Sequence, residues 1–192
     1  MSRSCAITGA NGYLGSILSD FFRDHGWSVC PLVRQVPIGV RGNSASLPFS
    51  LEKGVDAGCL KGVDTLIHCA YDSRQVRWED IVAVNVKGSL RLFEIARRAG
   101  VKKIIFISSI SAFENCRSLY GKAKLAVEKE AERFGAISVR PGLIYGPAMR
   151  GMCGALRKVA SASKLVPLVG NGRQVLYLGH EEDVSRLVLH LC

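Results

Sequence analysis

Thr8-Gly9-Ala10-Asn11-Gly12-Tyr13-Leu14-Gly15 stands between a short apolar run, Ser4 to Thr8, and an amphipathic one, Tyr13 to His25. In the second run Leu14, Ile17, Leu18, Phe21 and Phe22 recur at helical spacing, so the whole segment reads as strand, turn and helix. Glycines at 9, 12 and 15 permit a tight turn, close backbone approach to a ligand, and close packing of helix on strand. The N-terminus of the following helix favours an anion, because its first N–H groups are unpaired and the dipole is positive there. Glycine-rich turns also occur as plain punctuation, and this spacing differs from G-x-G-x-x-G. The residues further along the chain therefore have to decide between the two readings.

Gly26 follows the first helix as its cap, and Trp27 to Val33 reads as a second buried strand, completing a βαβ unit. Where an acidic residue at the end of that strand would bind a ribose 2′-hydroxyl, the chain has Arg34. A guanidinium suits a 2′-phosphate, which favours NADP over NAD; the competing reading is an exposed loop charge. Pro37 to Ser46 reads as a surface loop and Leu47 to Leu51 as a short third strand. Asp64 to Ala70 reads as a strand, and His68 within it as a packed histidine, since no metal-spaced partner is near.

Trp78 to Ala99 has helical periodicity closed by Gly100, with polar Asn85 on or beside its inward stripe. That amide either ties the helix to neighbouring backbone or helps to order an active site. Val101 to Ser109 is a strongly apolar strand ending in Ser108 and Ser109. Ligands of open parallel sheets lie outside the carboxyl ends of the strands, which places both hydroxyls well for chemistry. Tyr120 to Phe134 reads as a helix, with Tyr120 and Lys124 one turn apart on one side. A nearby ammonium favours the phenolate, so Lys124 is expected to lower the pKa of Tyr120 toward a useful range.

At 192 residues with 48% hydrophobic content, the chain suffices for a sizeable single core. No apolar run approaches the roughly 18 residues that span a bilayer, and Met1 to Cys5 lacks a signal-peptide layout, so a soluble cytoplasmic protein without a membrane partner is expected. The seven cysteines are widely spaced and read as small reduced hydrophobes. The net charge of +10 attracts polyanions, but the basic residues form no long run and have no interleaved aromatics, which argues against nucleic acid. No metal site is expected.

The glycine loop, then Ser108-Ser109, then Tyr120-Gly121-Lys122-Ala123-Lys124, then Arg140-Pro141-Gly142-Leu143-Ile144-Tyr145-Gly146-Pro147 resemble, in order, the motifs of the extended short-chain dehydrogenase/reductases. That group includes NAD(P)-dependent sugar epimerases, dehydratases and carbonyl reductases. His180-Glu181-Glu182-Asp183-Val184 resembles a late motif, so the likeness spans essentially the whole chain. It implies Thr8, Gly9, Asn11, Gly12, Tyr13, Leu14 and Gly15 at the pyrophosphate and Arg34 at the 2′-phosphate. Cys69 and Ala70 would lie along the cofactor, Asn85 near the active-site helix, and Pro141 and Gly142 in the loop beside the nicotinamide.

Tyr120 would be the proton-transfer residue and Lys124 its activator, the lysine also holding the nicotinamide ribose. Ser109 matches the substrate-orienting serine better than Ser108, although either serves. The family's acidic residue after the third strand is replaced by Phe49-Ser50-Leu51, which leaves its adenine contact uncarried. Members of the group also run well past this length.

The expected fold is α/β, a Rossmann-type doubly wound parallel sheet, with residues 1–145 binding NAD(P) and residues 146–192 forming a reduced, loop-rich substrate-facing portion packed on it. The expected activity is an NADP-preferring oxidoreductase or nucleotide-sugar epimerase/dehydratase, with NAD as the alternative cofactor. Its substrate would be a small carbonyl compound or a nucleotide sugar, and a homodimer through the long helices is one option. The other reading is a catalytically silent NAD(P)-binding sensor or interaction protein.

Overall fold

A computed structural model of the chain describes residues 3–36, 46–147, 151–162, 171, 173 and 175–192. The loop expected at 37–46 lies outside them except for Ser46. Six parallel strands, β1 (Ser4–Thr8), β2 (Ser28–Val33), β3 (Leu47–Pro48), β4 (Thr65–His68), β5 (Lys103–Ile107) and β6 (Ala136–Val139), form one sheet in the order β3-β2-β1-β4-β5-β6. Strand order reverses beside β1, which is hydrogen-bonded to β2 on one side and β4 on the other. A doubly wound sheet opens its ligand crevice at such a switch point, beyond the carboxyl ends of these strands. This is the Rossmann-type architecture expected.

Both faces of the sheet are covered, so the strands read as continuous apolar runs whose side chains alternate between two cores. Ala6, Leu32, Leu66, Ile104 and Phe106 point to one core, filled from the helical side by Leu92, Phe93 and Val127. Cys5, Ile7, Ile67, Ile105 and Ile107 point to the other, against Leu18 and Phe22 of α1 (Tyr13–Asp24).

The helix expected over 78–99 is divided. Helix α2 (Trp78–Ile81) passes through a π-helical turn, Val82–Val86, into α3 (Lys87–Arg98). Wide turns of this kind often mark functional sites, and Asn85 sits in this one. Gly88 follows at a position where a Cβ would stand 2.3 Å from the Leu51 carbonyl oxygen. The glycine lets the strap after β3 lie directly on the helix.

Helix α4 (Leu119–Ala131) is capped by Ser118, whose hydroxyl accepts from Gly121 N–H. Beyond it, β7 (Leu143–Tyr145) pairs in parallel with β8 (Leu178–His180), and α5 (Gly151–Ala162) lies between them in sequence. The last helix, α6 (Glu181–Leu191), follows β8 directly. Its Glu181, Glu182 and Asp183 complement the positive end of the dipole. Val184 and Val188 join the same core as α1, so the region read as loop-rich contributes regular structure to the main body. No helix among the described residues is long and apolar enough to cross a membrane.

Candidate functional site

The loop between β1 and α1 is held by its own backbone. Gly9 adopts φ +65°, a conformation that side-chain-bearing residues rarely adopt, and Gly12 N–H donates to the Gly9 carbonyl at 2.8 Å. A Cβ on Gly15 would stand 2.1 Å from that same oxygen. The three glycines therefore pack against one another and bring the start of α1 directly under the loop. Helix α1 has no acidic residue in its first turn and no side-chain cap, which leaves its N-terminal N–H groups open to an anion.

Two adjoining clefts share Gly9, Gly12, Cys69 and Tyr71. The outer one, about 450 Å³, is further lined by Asn11, Arg34, Ala70, Asp72 and Arg74. Phe49, Ser50 and Leu51, which replace the family's acidic residue, also line it and give it an apolar wall. Asp72 is buried and takes Arg74 Nε at 2.9 and 3.1 Å, while Arg34 Nη2 stands 3.9 Å away. Hydrogen bonding from Arg74, aided by the Arg34 charge, holds the Asp72 carboxyl down at about 2. Arg34 itself is half exposed and lies beyond hydrogen-bond reach of Asp72, so its guanidinium is available to a ligand.

The inner cleft, about 250 Å³, joins Tyr13, Leu14 and Gly15 to Ser108, Ser109, Tyr120, Lys124, Pro141 and Gly142. Lys124 is buried and donates from Nζ to the Ile107 carbonyl at 2.7 Å. Burial lowers its pKa to about 8 against the opposing pull of Cys69 and Glu128. Glu128 in turn accepts Arg140 Nε at 2.9 and 3.0 Å, tying α4 to the segment that carries Pro141 and Gly142.

The expected lowering of the Tyr120 pKa is not what this arrangement produces. Desolvation raises it, and the opposing influence is a hydrogen bond with Ser109. The reason is geometric: the Lys124 ammonium is committed to Ile107 and sits 5.8 Å from the centre of the Tyr120 ring.

Ser109 faces the cleft while its Oγ accepts from Ser111 N–H at 3.1 Å. Ser108 also lines the cleft, and its buried hydroxyl has no hydrogen-bond partner among the described residues. An orphaned buried hydroxyl at one end, an open helix N-terminus in the middle and a half-exposed guanidinium at the other fit a nicotinamide dinucleotide.

Two expected residues lie outside both clefts. Thr8 Oγ1 accepts from the N–H groups of Cys69 (3.1 Å) and Ala70 (3.2 Å), joining β1 to the end of β4. Asn85 Oδ1 accepts from Asp72 N–H at 2.7 Å, and its Nδ2 donates to Asp72 O at 3.1 Å. They are linked through His68. Ser89 gives its proton to the Asn85 carbonyl at 2.6 Å, so its oxygen accepts from His68 Nε2–H at 2.9 Å. Nδ1 is then unprotonated and accepts from Thr8 at 2.6 Å.

Burial, with the Lys124 charge, lowers the His68 pKa to about 3, in keeping with a neutral ring. Among the described residues no cluster of His, Cys, Asp and Glu could hold a metal ion. Asn85→Ala would strip both backbone groups of Asp72 of their partners, and a loss of about 1–3 kcal/mol for each is expected in chemical denaturation. An unchanged midpoint would mean that water replaces the amide without cost.

Sequence reasoning missed Tyr71, which lines both clefts and meets Tyr120 edge to face at 4.8 Å between ring centres. It also missed Asp72, Arg74 and the 2.8 Å hydrogen bond from Tyr13 to Glu181. Tyr71 and Asp72 directly follow the Cys69-Ala70 pair at the end of β4, and that position was the available signal.

The family model described as NAD dependent epimerase/dehydratase family matches residues 5–192. The chain is 32% identical over 201 residues to the ceramide reductase of Caulobacter vibrioides, covering 97% of this chain and 60% of the relative. It is 30% identical to the uronate dehydrogenase of Pseudomonas syringae pv. tomato over 54% of this chain and 38% of that one. A solved structure of MoeE5 with UDP-glucuronic acid and NAD superposes with a TM-score of 0.84 at 26% identity, covering 98% of this chain and 71% of its own. The chain thus spans about 60% or less of the length of these two curated relatives.

Proposed function

Because the chain belongs to the NAD dependent epimerase/dehydratase family, we propose that it forms the cofactor-binding and catalytic part of an NADP-preferring oxidoreductase acting on a carbonyl or secondary alcohol. One observation carries this reading: the glycine cradle opens into the same cleft as Ser109, Tyr120 and Lys124. The bound cofactor would supply or accept the hydride. Gly9, Gly12 and Gly15 would seat its pyrophosphate, Arg34 its 2′-phosphate, and Ser108 and Lys124 its nicotinamide end.

In this mechanism Ser109 orients the substrate oxygen by hydrogen bonding, and Tyr120 gives or takes the proton at that oxygen. Tyr71 packs on the Tyr120 ring and limits its rotation. The relatives named as a ceramide reductase and a uronate dehydrogenase, and the neighbour solved with a UDP-sugar and NAD, support hydride chemistry at carbon–oxygen bonds. The direct test is NADPH consumption across carbonyl and nucleotide-sugar substrates. Tight binding without turnover of any would favour the silent sensor instead.

Arg34→Ala should weaken NADPH binding about tenfold to hundredfold, as expected for a charge-assisted hydrogen bond of about 1.5–3 kcal/mol, and leave NADH binding nearly unchanged. Calorimetric titration with both cofactors measures this. Equal loss for both would make Arg34 a surface charge.

Reductive turnover should fall as pH rises through about 8. Below that value Lys124 is an ammonium that would hold the nicotinamide end of the cofactor by charge-assisted hydrogen bonds, and above it the charge is lost. A rate that stays flat well into the alkaline range would contradict a role for that charge.

A further inference from the structure

A third cleft, about 480 Å³, opens from Tyr120 on the side away from the adenosine end. Its hydroxyl-bearing lining residues are Ser109, Ser111, Tyr13 and Tyr120. The remaining wall is largely apolar, built from Ile110, Leu143, Ile144, Val175, Leu176 and Tyr177. No lysine, arginine or histidine is among the described residues that line it.

The wall is held in place by backbone. Leu143 N–H donates to Tyr177 O at 2.8 Å, and a Cβ on Gly142 would stand 2.2 Å from that oxygen, so Gly142 permits the close approach of the two segments. Val175 and Leu176 are nevertheless 75% and 68% exposed. A run of large apolar side chains left in water beside a catalytic group marks a surface that a ligand covers.

We propose that the substrate is an amphipathic ketone or secondary alcohol whose long apolar body lies along this wall, and not a nucleotide diphosphate. This rests on the reading of Tyr120 as the proton-transfer residue. A diphosphate brought here would bury negative charge against aliphatic carbon with no cation among the described lining residues to pair it, whereas an alkyl chain would remove apolar surface from water on both partners. In the reductive direction one NADPH is consumed for each ketone reduced. The carbonyl carbon gains the hydride, and the oxygen gains the Tyr120 proton, which solvent then replaces.

The experiment uses methyl ketones with alkyl chains of two to ten carbons, with UDP-glucose and UDP-glucuronic acid as the polar comparison. NADPH consumption gives kcat/KM for the ketones, and NADP⁺ reduction gives it for the UDP-sugars. Calorimetry in the presence of NADP⁺ gives Kd for the matching secondary alcohols and for the UDP-sugars. Affinity and kcat/KM should each improve about fourfold per methylene until the wall is covered, the equivalent of about 0.8 kcal/mol per buried methylene. Leu176→Glu, at an exposed position, should remove at least tenfold of the gain for the longest chain and leave NADPH affinity unchanged.

Improvement in binding with chain length but no turnover would support the apolar site and overturn the role of Tyr120. A flat series, with or without binding or turnover of the UDP-sugars, would overturn the apolar site. UDP-sugar turnover in that case would leave the role of Tyr120 standing.

Discussion

Tyr120→Phe is expected to lower turnover by about two to four orders of magnitude, the usual contribution of a positioned acid or base, with NADPH affinity changed less than about twofold. The variant removes one oxygen and keeps the ring, so the edge-to-face contact with Tyr71 and the fold of α4 remain. That oxygen belongs to a residue that lines both the inner and the third cleft, as Ser109 does. In the proposed site cofactor binding would rest on other groups, the glycine loop, Arg34, Ser108 and Lys124, and should not register the change. Initial rates and a calorimetric Kd on the same preparation separate the two effects. Retained turnover would remove Tyr120 from the chemistry, and a parallel loss of affinity would make it a binding residue.

Gly15→Ala should act at the other end of the site and through a different cause. The added methyl group would stand 2.1 Å from the Gly9 carbonyl oxygen and 2.7 Å from its carbon. Both are backbone atoms, so no side chain can turn aside. Either α1 retreats from the loop or Gly9 leaves its positive φ, and each movement spoils the cradle. Overpacking of this kind costs about 1–3 kcal/mol, and in a domain of this size each kcal/mol lowers Tm by about 2–4 °C. NADPH binding should fall at least a hundredfold even at temperatures where the variant is folded. Wild-type affinity in a folded Gly15→Ala protein would show that the close packing of loop and helix is not used for binding.

Several of these features were legible in the sequence because they are local. The apolar run, the glycines at 9, 12 and 15 and the helical periodicity after them determine β1, the loop and α1 within one short segment. Arg34 and Ser108 could be placed by the rule that ligands gather beyond the carboxyl ends of parallel strands, and each lines a cleft there. Tyr120 and Lys124 could be paired because one helical turn separates them.

Direction was harder to read. Spacing puts Lys124 near Tyr120 but does not reveal that the ammonium is committed to the Ile107 carbonyl, and that commitment leaves burial in control of the Tyr120 pKa. The role of Thr8 was likewise hidden, because its partners come from the residues just after β4, whereas for Asn85 the first of the two readings, a tie to neighbouring backbone, is the one its bonds to Asp72 bear out. The Tyr13–Glu181 bond and the pairing of β7 with β8 join residues far apart in the chain, and no local pattern announces such contacts. Propensity also read Trp78 to Ala99 as one regular helix, whereas the bond from Asn85 to Asp72 comes from a π-helical turn.

The central claim is that one dinucleotide spans the two adjoining clefts, from Arg34 past the glycine loop to Tyr120. A crystal structure of the protein grown with NADP⁺ tests it most directly. The account predicts density for the 2′-phosphate at Arg34, for the pyrophosphate at Gly12 and the start of α1, and for the nicotinamide beside Tyr120 and Ser108. Density for the cofactor elsewhere, or empty clefts at saturating NADP⁺, would contradict it.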